Sequence, residues 1–149
     1  MKLSIEVSDG VTEAEVVIRC SRVDDTIQKL QEYIITLSAP KLTLYKGTQE
    51  YYLTLDEILF FETSGEQIFS HTANDVFKVK RKLYELEEML PRYFARAAKG
   101  TIVNTQQIYA INRNLTSASK ISFVGTHKHI YVSRYYYKAF REKMNERSV

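Results

Sequence analysis

The chain has one cysteine, Cys20, two prolines, five glycines and no apolar run approaching the roughly 18 residues that a membrane-spanning helix needs. A lone cysteine closes no internal disulfide, which fits a reducing compartment. So few prolines and glycines, beside 44% hydrophobic and 26% charged residues in 149, exclude a collagen-like, low-complexity or disordered chain. The first ten residues, MKLSIEVSDG, carry no apolar core of a secretory signal. The expectation is a folded cytoplasmic protein of one domain, with room for at most a small extension.

The usual local signatures of catalysis are also missing. The sequence contains no GxGxxG, GxxxxGK[ST], HExxH or GxSxG, so nucleotide binding, zinc proteolysis and serine hydrolysis have no local support. His127 and His129 stand two apart on an expected strand and share a face, but no cysteine or acid lies near them to complete a metal cage; surface or phosphate-facing roles fit them better. Glu87 and Glu88 are adjacent on an expected helix, point apart, and read as a solvated face. Cys20 sits at the edge of an expected strand without a base beside it. We therefore assign no catalytic residue, no metal ligand, no cofactor and no small-molecule substrate.

What the chain does have is an uneven charge. Residues 1–40 hold 4 basic and 7 acidic side chains, and residues 41–95 hold 7 and 9. Residues 96–149 hold 10 basic side chains against Glu142 and Glu146, a local net of +8. Such an asymmetry is expected of a surface that meets a polyanion, because each neutralised phosphate releases condensed counterions. A solvated basic face without a partner has the same composition.

Periodicity divides the chain near Ser38-Ala39-Pro40. Before it, two alternating runs, 3–7 and 14–18, flank a turn at Asp9-Gly10 and predict a strand pair. Val23, Ile27, Leu30, Ile34 and Leu37 then recur at helical spacing, with Ser21, Asp24 and Asp25 available as caps, so 22–37 is expected to be an amphipathic helix. Residues 1–40 thus read as a small β-β-α unit. Beyond it, strands are expected at 41–46, 50–55, 58–63, 67–72 and 75–80 as a meander, then a helix bearing Leu83, Leu86 and Leu90 that Pro91 ends. Strands near 94–97, 101–104, 107–112, 119–124 and 128–132 follow, and a last helix, 134–146, with Tyr137, Phe140 and Met144 on its core side. The fold class is mainly β (α+β).

Two basic stretches carry candidate chemistry. In one, Lys99 follows two small residues and precedes Gly100 on a short loop, where a charge can approach a groove closely. In the other, Ser133 is a good N-cap for the last helix, whose free N–H groups add a positive dipole end to Arg134 and Lys138. Arginine can bond guanine bidentately, and tyrosine hydroxyls reach phosphates. Of Tyr135, Tyr136 and Tyr137, at least one must face the core, and Tyr137 is the choice. Asn104 can read adenine or close a strand end, the second being the commoner use.

At these residues the sequence resembles the LytTR family of bacterial DNA-binding domains. The resemblance is carried by Ile58-Leu59-Phe60-Phe61-Glu62-Thr63-Ser64, the helix Leu83-Tyr84-Glu85-Leu86-Glu87-Glu88, Phe94-x-Arg96-x-x-Lys99 with Ile102-Val103-Asn104 and Ile108, and Val132-Ser133-Arg134-Tyr135-Tyr136. The ordered set covers about residues 41–146. It implies elongated, mostly antiparallel sheets with short helices, in which loops rather than a recognition helix enter the major groove. Carried over, the first DNA-contacting loop falls at Gly65-Glu66-Gln67, the second around Lys99-Gly100-Thr101 and the third at Ser133-Arg134-Tyr135, with Lys99 and Arg134 nearest the bases. Arg96 either orients the second loop or contacts phosphate. Lys78, Lys80, Arg81 and Lys82 form a further basic run that contacts backbone or stays solvated. Two departures stand out: Ala98-Lys99-Gly100 replaces the frequent His/Ser-Lys-Ser, and Glu66 stands where a basic residue or histidine is common.

Forty residues cannot hold a receiver domain, so the resemblance is to standalone regulators with a short N-terminal extension, often encoded beside a small membrane protein that restrains them. The reading is a regulator that binds repeated half-sites in double-stranded DNA as a homodimer, residues 41–149 binding DNA and residues 1–40 serving dimerisation or docking of such an inhibitor. The competing reading is a protein-interaction or sensory module with an incidental basic end. Single-stranded RNA binding is weaker, for want of an RNP-like motif.

Overall fold

The computed structural model of the chain describes residues 1–38 and 42–146, with the backbone alone for Thr36 and Ser38. The chain divides into two compact units, Met1–Ile34 and Ile35–Val149. The expected junction at Ala39-Pro40, and the first residue of the strand expected at 41–46, lie outside the described residues.

In the first unit, residues 1–24 form no strand. The turn at Asp9-Gly10 is present, with the Val11 amide donating to the Ser8 carbonyl at 3.2 Å, but the strand pair expected over 3–7 and 14–18 is not made. Alternation marks a strand only where another layer covers its apolar side, and two strands alone are marginal in water. Here Leu3, Ile5 and Val7 are 91%, 82% and 92% exposed. The helix does form, as α1 (Asp25–Ser38). Asp24 caps it: its carboxylate accepts from the Ile27 amide at 3.0 Å and its carbonyl from the Gln28 amide at 2.9 Å. Ile27, Leu30 and Ile34 are half-buried, while Val23 and Leu37 at the ends of the same stripe stay exposed.

The second unit begins with the hairpin β1 (Leu42–Lys46) and β2 (Gln49–Leu53). Next come β3 (Phe60–Ser64), β4 (Gln67–His71) and β5 (Val76–Val79), then α2 (Leu83–Met89). A second hairpin, β6 (Phe94–Ala98) and β7 (Thr101–Asn104), leads to β8 (Ile108–Asn112), β9 (Ser119–Phe123), β10 (His129–Val132) and α3 (Arg134–Glu146). Every expected strand of this region appears within two or three residues of its predicted bounds. The simple meander does not: the seven-stranded sheet has the order β2-β1-β5-β4-β3-β7-β6, so only β3 to β5 meander. The first hairpin docks on β5 and the β6–β7 hairpin on β3, long-range pairings that local pattern cannot specify. A second sheet, β10-β9-β8, is a true meander.

Consecutive residues explain the layering. Phe61, Ile102 and Phe94 point into a core with Leu42, Leu44, Phe77 and the α2 residues Leu86 and Leu90. Their neighbours Phe60, Val103 and Ala95 point the opposite way, into a core with Ile121, Phe123, Ile130 and Val132 of the second sheet and Phe140 of α3. The strands β3, β7 and β6 are therefore covered on both faces, which is why they read as apolar runs rather than alternations.

Candidate nucleic-acid interface

Register brings the first two predicted loops together at one end of the large sheet. Ser64 pairs with Gln67, Glu62 with Thr101, and Ala98 with Thr101, so the β3–β4 and β6–β7 tips lie side by side. Gly65 turns the first tip at φ +64°, a left-handed conformation that side-chain-bearing residues rarely adopt. In the second, a Cβ on Gly100 would lie 3.3 Å from Thr63 Cβ, so glycine permits the close approach in which the Thr63 amide donates to the Gly100 carbonyl at 2.8 Å.

The third loop is joined to the second by a bulge. The β6–β7 register shifts between Arg96 and Ala98, and the carbonyl of the bulged Ala97 accepts the Ser133 amide at 2.8 Å. Ser133 then caps α3, its hydroxyl accepting the Tyr136 amide at 3.3 Å. Glu66, Gln67, Lys99, Arg134 and Lys138 are all exposed and Tyr135 is 87% exposed, whereas Gly100, Thr101 and Ser133 are half-buried. Among the described residues no carboxylate pairs with Lys99, Arg134 or Lys138. Arg134 Nη1 donates only a long 3.5 Å bond, to the Thr116 carbonyl. Arg141, which helical phase sets with Lys138 away from the core side of the last helix, is exposed at the interval that continues Arg134 and Lys138. Lys143, by contrast, is turned inward and donates to the Phe94 carbonyl at 2.8 Å.

Arg96 is half-buried and fully engaged. Its Nε donates to the Ala98 carbonyl at 3.0 Å, Nη2 donates to the Lys99 carbonyl, and Nη1 lies 2.5 Å from Glu87 Oε2. Glu87 is thus not a merely solvated carboxylate, as adjacency to Glu88 suggested. The basic run leaves β5 at the same end of the sheet, since Val79 pairs with Ile68, next to the first tip. Within it Lys78 is exposed, Lys80 lies 4.0 Å over the Tyr45 ring, Arg81 is 3.9 Å from Glu85, and the Lys82 amide donates to the Glu85 carboxylate at 3.0 Å.

Other candidates fall elsewhere. Asn104 is fully buried, donating to the Leu55 and Ile58 carbonyls at 3.3 and 3.0 Å and accepting the Gln106 amide at 3.0 Å, so it closes a strand end. Tyr137 is half-buried under the Arg113 guanidinium, while the deepest α3 side chain is Phe140. His127 and His129 are exposed, and among the described residues no group of three or more candidate ligands could hold a metal. The third histidine, His71, belongs to a polar cluster around β4. Its Nε2 lies 2.7 Å from Glu62 Oε1, its Nδ1 3.3 Å from Lys128 Nζ, and its ring stacks on Phe60 at 4.4 Å. Burial holds the His71 pKa below its ordinary value, with Lys128 acting in the same sense and Glu62 against it. Lys128 also donates to the Asp75 carbonyl at 2.7 Å, and Thr126 donates to the Ala73 carbonyl at 2.9 Å, which clasps the second sheet onto the first.

Antiparallel sheets here carry exposed basic loop tips beside a capped helix start, a surface suited to a polyanion. The LytTr DNA-binding domain model matches residues 49–145, and the chain belongs to that family. The chain is 26% identical over 146 residues to an uncharacterized HTH-type transcriptional regulator of Staphylococcus aureus strain NCTC 8325 / PS 47, covering 97% of this chain and 99% of the relative. A counterpart from strain MRSA252 is 25% identical over the same shares of the two chains. Among solved structures, a LytTr DNA-binding domain from Bacillus cereus superimposes with a TM-score of 0.65 at 23% identity, over 70% of this chain and 95% of that one. Despite the helix-turn-helix wording of the relatives' names, α2 and α3 here are separated by five strands. No described helix is long and apolar enough to cross a membrane.

Proposed function

We propose that this chain is a sequence-specific transcriptional regulator that reads the major groove of double-stranded DNA with its three loop tips. The observation that carries the reading is the pair of main-chain bonds, Thr63 to Gly100 and Ser133 to Ala97, that join those tips into one exposed edge. Lys99 and Arg134 approach the bases. Gln67, Thr101, Ser133, Tyr135 and Lys138 hold phosphates and sugars, Gly100 lets the backbone come close, and Glu66 faces the exocyclic amine of a cytosine. Lys78 is the best placed of the basic run for backbone contact, because Lys80 and Arg81 already have partners within the chain. The protein works without a cofactor and without catalysis, in the cytoplasm where its DNA lies.

Two protomers bind repeated half-sites, and residues 1–40 provide the contact between them or the docking surface for a small inhibitory membrane protein. The supporting observation is the exposed apolar content of that segment: Leu3, Ile5 and Val7, with Val23 and Leu37 at the ends of the half-buried α1 stripe.

Fluorescence anisotropy with duplexes from upstream of the chain's own gene, over a salt series, tests the core of the proposal. Tight, fragment-selective binding with a steep negative salt slope supports it. Weak binding that is equal for every fragment refutes it in favour of a protein-interaction module.

A further inference from the structure

We infer that Arg96 and Glu87 form a latch that sets the position of the Lys99 and Arg134 tips without itself touching DNA. The inference rests on the DNA-reading function proposed above. One guanidinium fork grips two successive carbonyls, those of Ala98 and Lys99, and so fixes the backbone immediately before the tip. Its remaining nitrogen is held by Glu87, from α2. The same group lies 6.0 Å over the ring of Tyr136, in the first turn of α3, whose amide Ser133 caps. Ser133 is in turn bonded to Ala97, between the two residues of β6 that the latch spans. A single side chain therefore ties together α2, the second loop and the third.

Chemistry argues against Arg96 as a phosphate ligand. Glu87 neutralises its charge at contact distance, and every nitrogen of the fork already has an acceptor. A lysine cannot replace it, because an ammonium is a point donor that cannot hold two carbonyls and a carboxylate in one plane. Nor is the pair there for bulk stability: the Glu87 side chain is 51% exposed, and ion pairs of that exposure contribute little.

The test turns on a sign. Removing a carboxylate from a protein normally strengthens its attraction to a polyanion. If Glu87 acts through Arg96, Glu87→Gln does the opposite and weakens fragment-selective binding on the order of tenfold, the scale on which a small misplacement of a positioned group is felt. The salt slope and the affinity for an unrelated duplex stay as in the wild type. Arg96→Lys, which keeps the charge, falls in the same way, and in the absence of DNA both variants exchange the amides of residues 98–101 faster than the wild type.

The inference is overturned if Glu87→Gln binds as well as the wild type or better. It is equally overturned if Arg96→Lys is indistinguishable from the wild type while Arg96→Gln weakens all duplexes equally and flattens the salt slope by about 0.9, the mark of a lost phosphate contact. Should the wild type itself discriminate no fragment, the proposed function fails on its own, and amide exchange alone decides the latch: unchanged exchange in both variants rejects it. Far-ultraviolet circular dichroism of each variant accompanies the measurement.

Discussion

The amide of Ser133 donates to the carbonyl of Ala97 at 2.8 Å, so the start of α3 is sewn to the strand that leads into the Lys99 loop. Two basic groups 35 positions apart in sequence thereby become neighbours on one edge. The bond is available because the β-bulge displaces Ala97 from the regular β6–β7 ladder.

From this edge follows a division among the lysines and arginines. Lys99→Ala and Arg134→Ala are each expected to lose about 1–3 kcal/mol of fragment-selective binding, with unchanged folding. Lys143→Ala is expected to do the reverse, since its ammonium bonds the Phe94 carbonyl rather than facing solvent. It should lower the thermal midpoint and leave the relative affinities of different duplexes alone. Anisotropy and thermal melts of the three variants, taken together, check the assignment.

Asn104 makes a second separation between reading and support. Its carboxamide donates to the Leu55 and Ile58 carbonyls and accepts the Gln106 amide. Asn104→Ala leaves buried polar groups without partners, at about 1–3 kcal/mol for each group that water cannot reach. The expected result is a large loss of stability in urea denaturation, with base preference unchanged wherever the variant is still folded. An altered preference at one operator position would instead make Asn104 a reader.

The contrast between Asn104 and Lys99 shows what kind of information the sequence held. Strand and helix positions from residue 42 onward were legible because Phe60 and Phe61, or Ile102 and Val103, fill cores on opposite faces and so impose uninterrupted apolar runs. The three tips were legible as turn chemistry: Gly65, Gly100 and the capping Ser133. Strand order was not, because β1 meets β5 and β7 meets β3 across long stretches of chain, and no local pattern encodes such a pairing. The engagement of Arg96 was not legible either, since it depends on α2 and β6 coming together. The strands expected over 3–7 and 14–18 failed for a related reason: alternation proposes an apolar face, and only a covering layer makes it a strand.

His71 predicts a pH dependence. In the folded protein its pKa lies below the ordinary 6.5, chiefly through burial, with Lys128 lowering it further and the Glu62 carboxylate opposing both. The unfolded chain therefore takes up the proton first as the pH falls. The stabilisation is complete above 6.5 and is lost as the pH drops through the folded value. His71→Phe, which can keep the stack on Phe60, should flatten this loss. Urea midpoints at about pH 7.5 and about pH 5.5, a window in which ordinary carboxylates stay ionised, measure the difference. Equal pH sensitivity in variant and wild type would place the proton elsewhere.

The stripe on α1 gives the last expectation. Ile27, Leu30 and Ile34 are only half-buried, and Val23 and Leu37 extend the same stripe into solvent at 55% and 68% exposure. If this stripe joins two protomers, a charge at its centre, Leu30→Asp, should convert a dimer to a monomer in sedimentation equilibrium. The DNA consequence is specific. Joining two readers makes the second half-site an intramolecular target at high effective concentration, so a dimer gains on a duplex with two half-sites and gains nothing on one. Leu30→Asp should therefore weaken binding to the two-site duplex by about 100-fold or more while leaving the single-site affinity where it was. Equal affinity of variant and wild type for the two-site duplex would remove α1 from the dimer contact and leave that stripe to a partner protein.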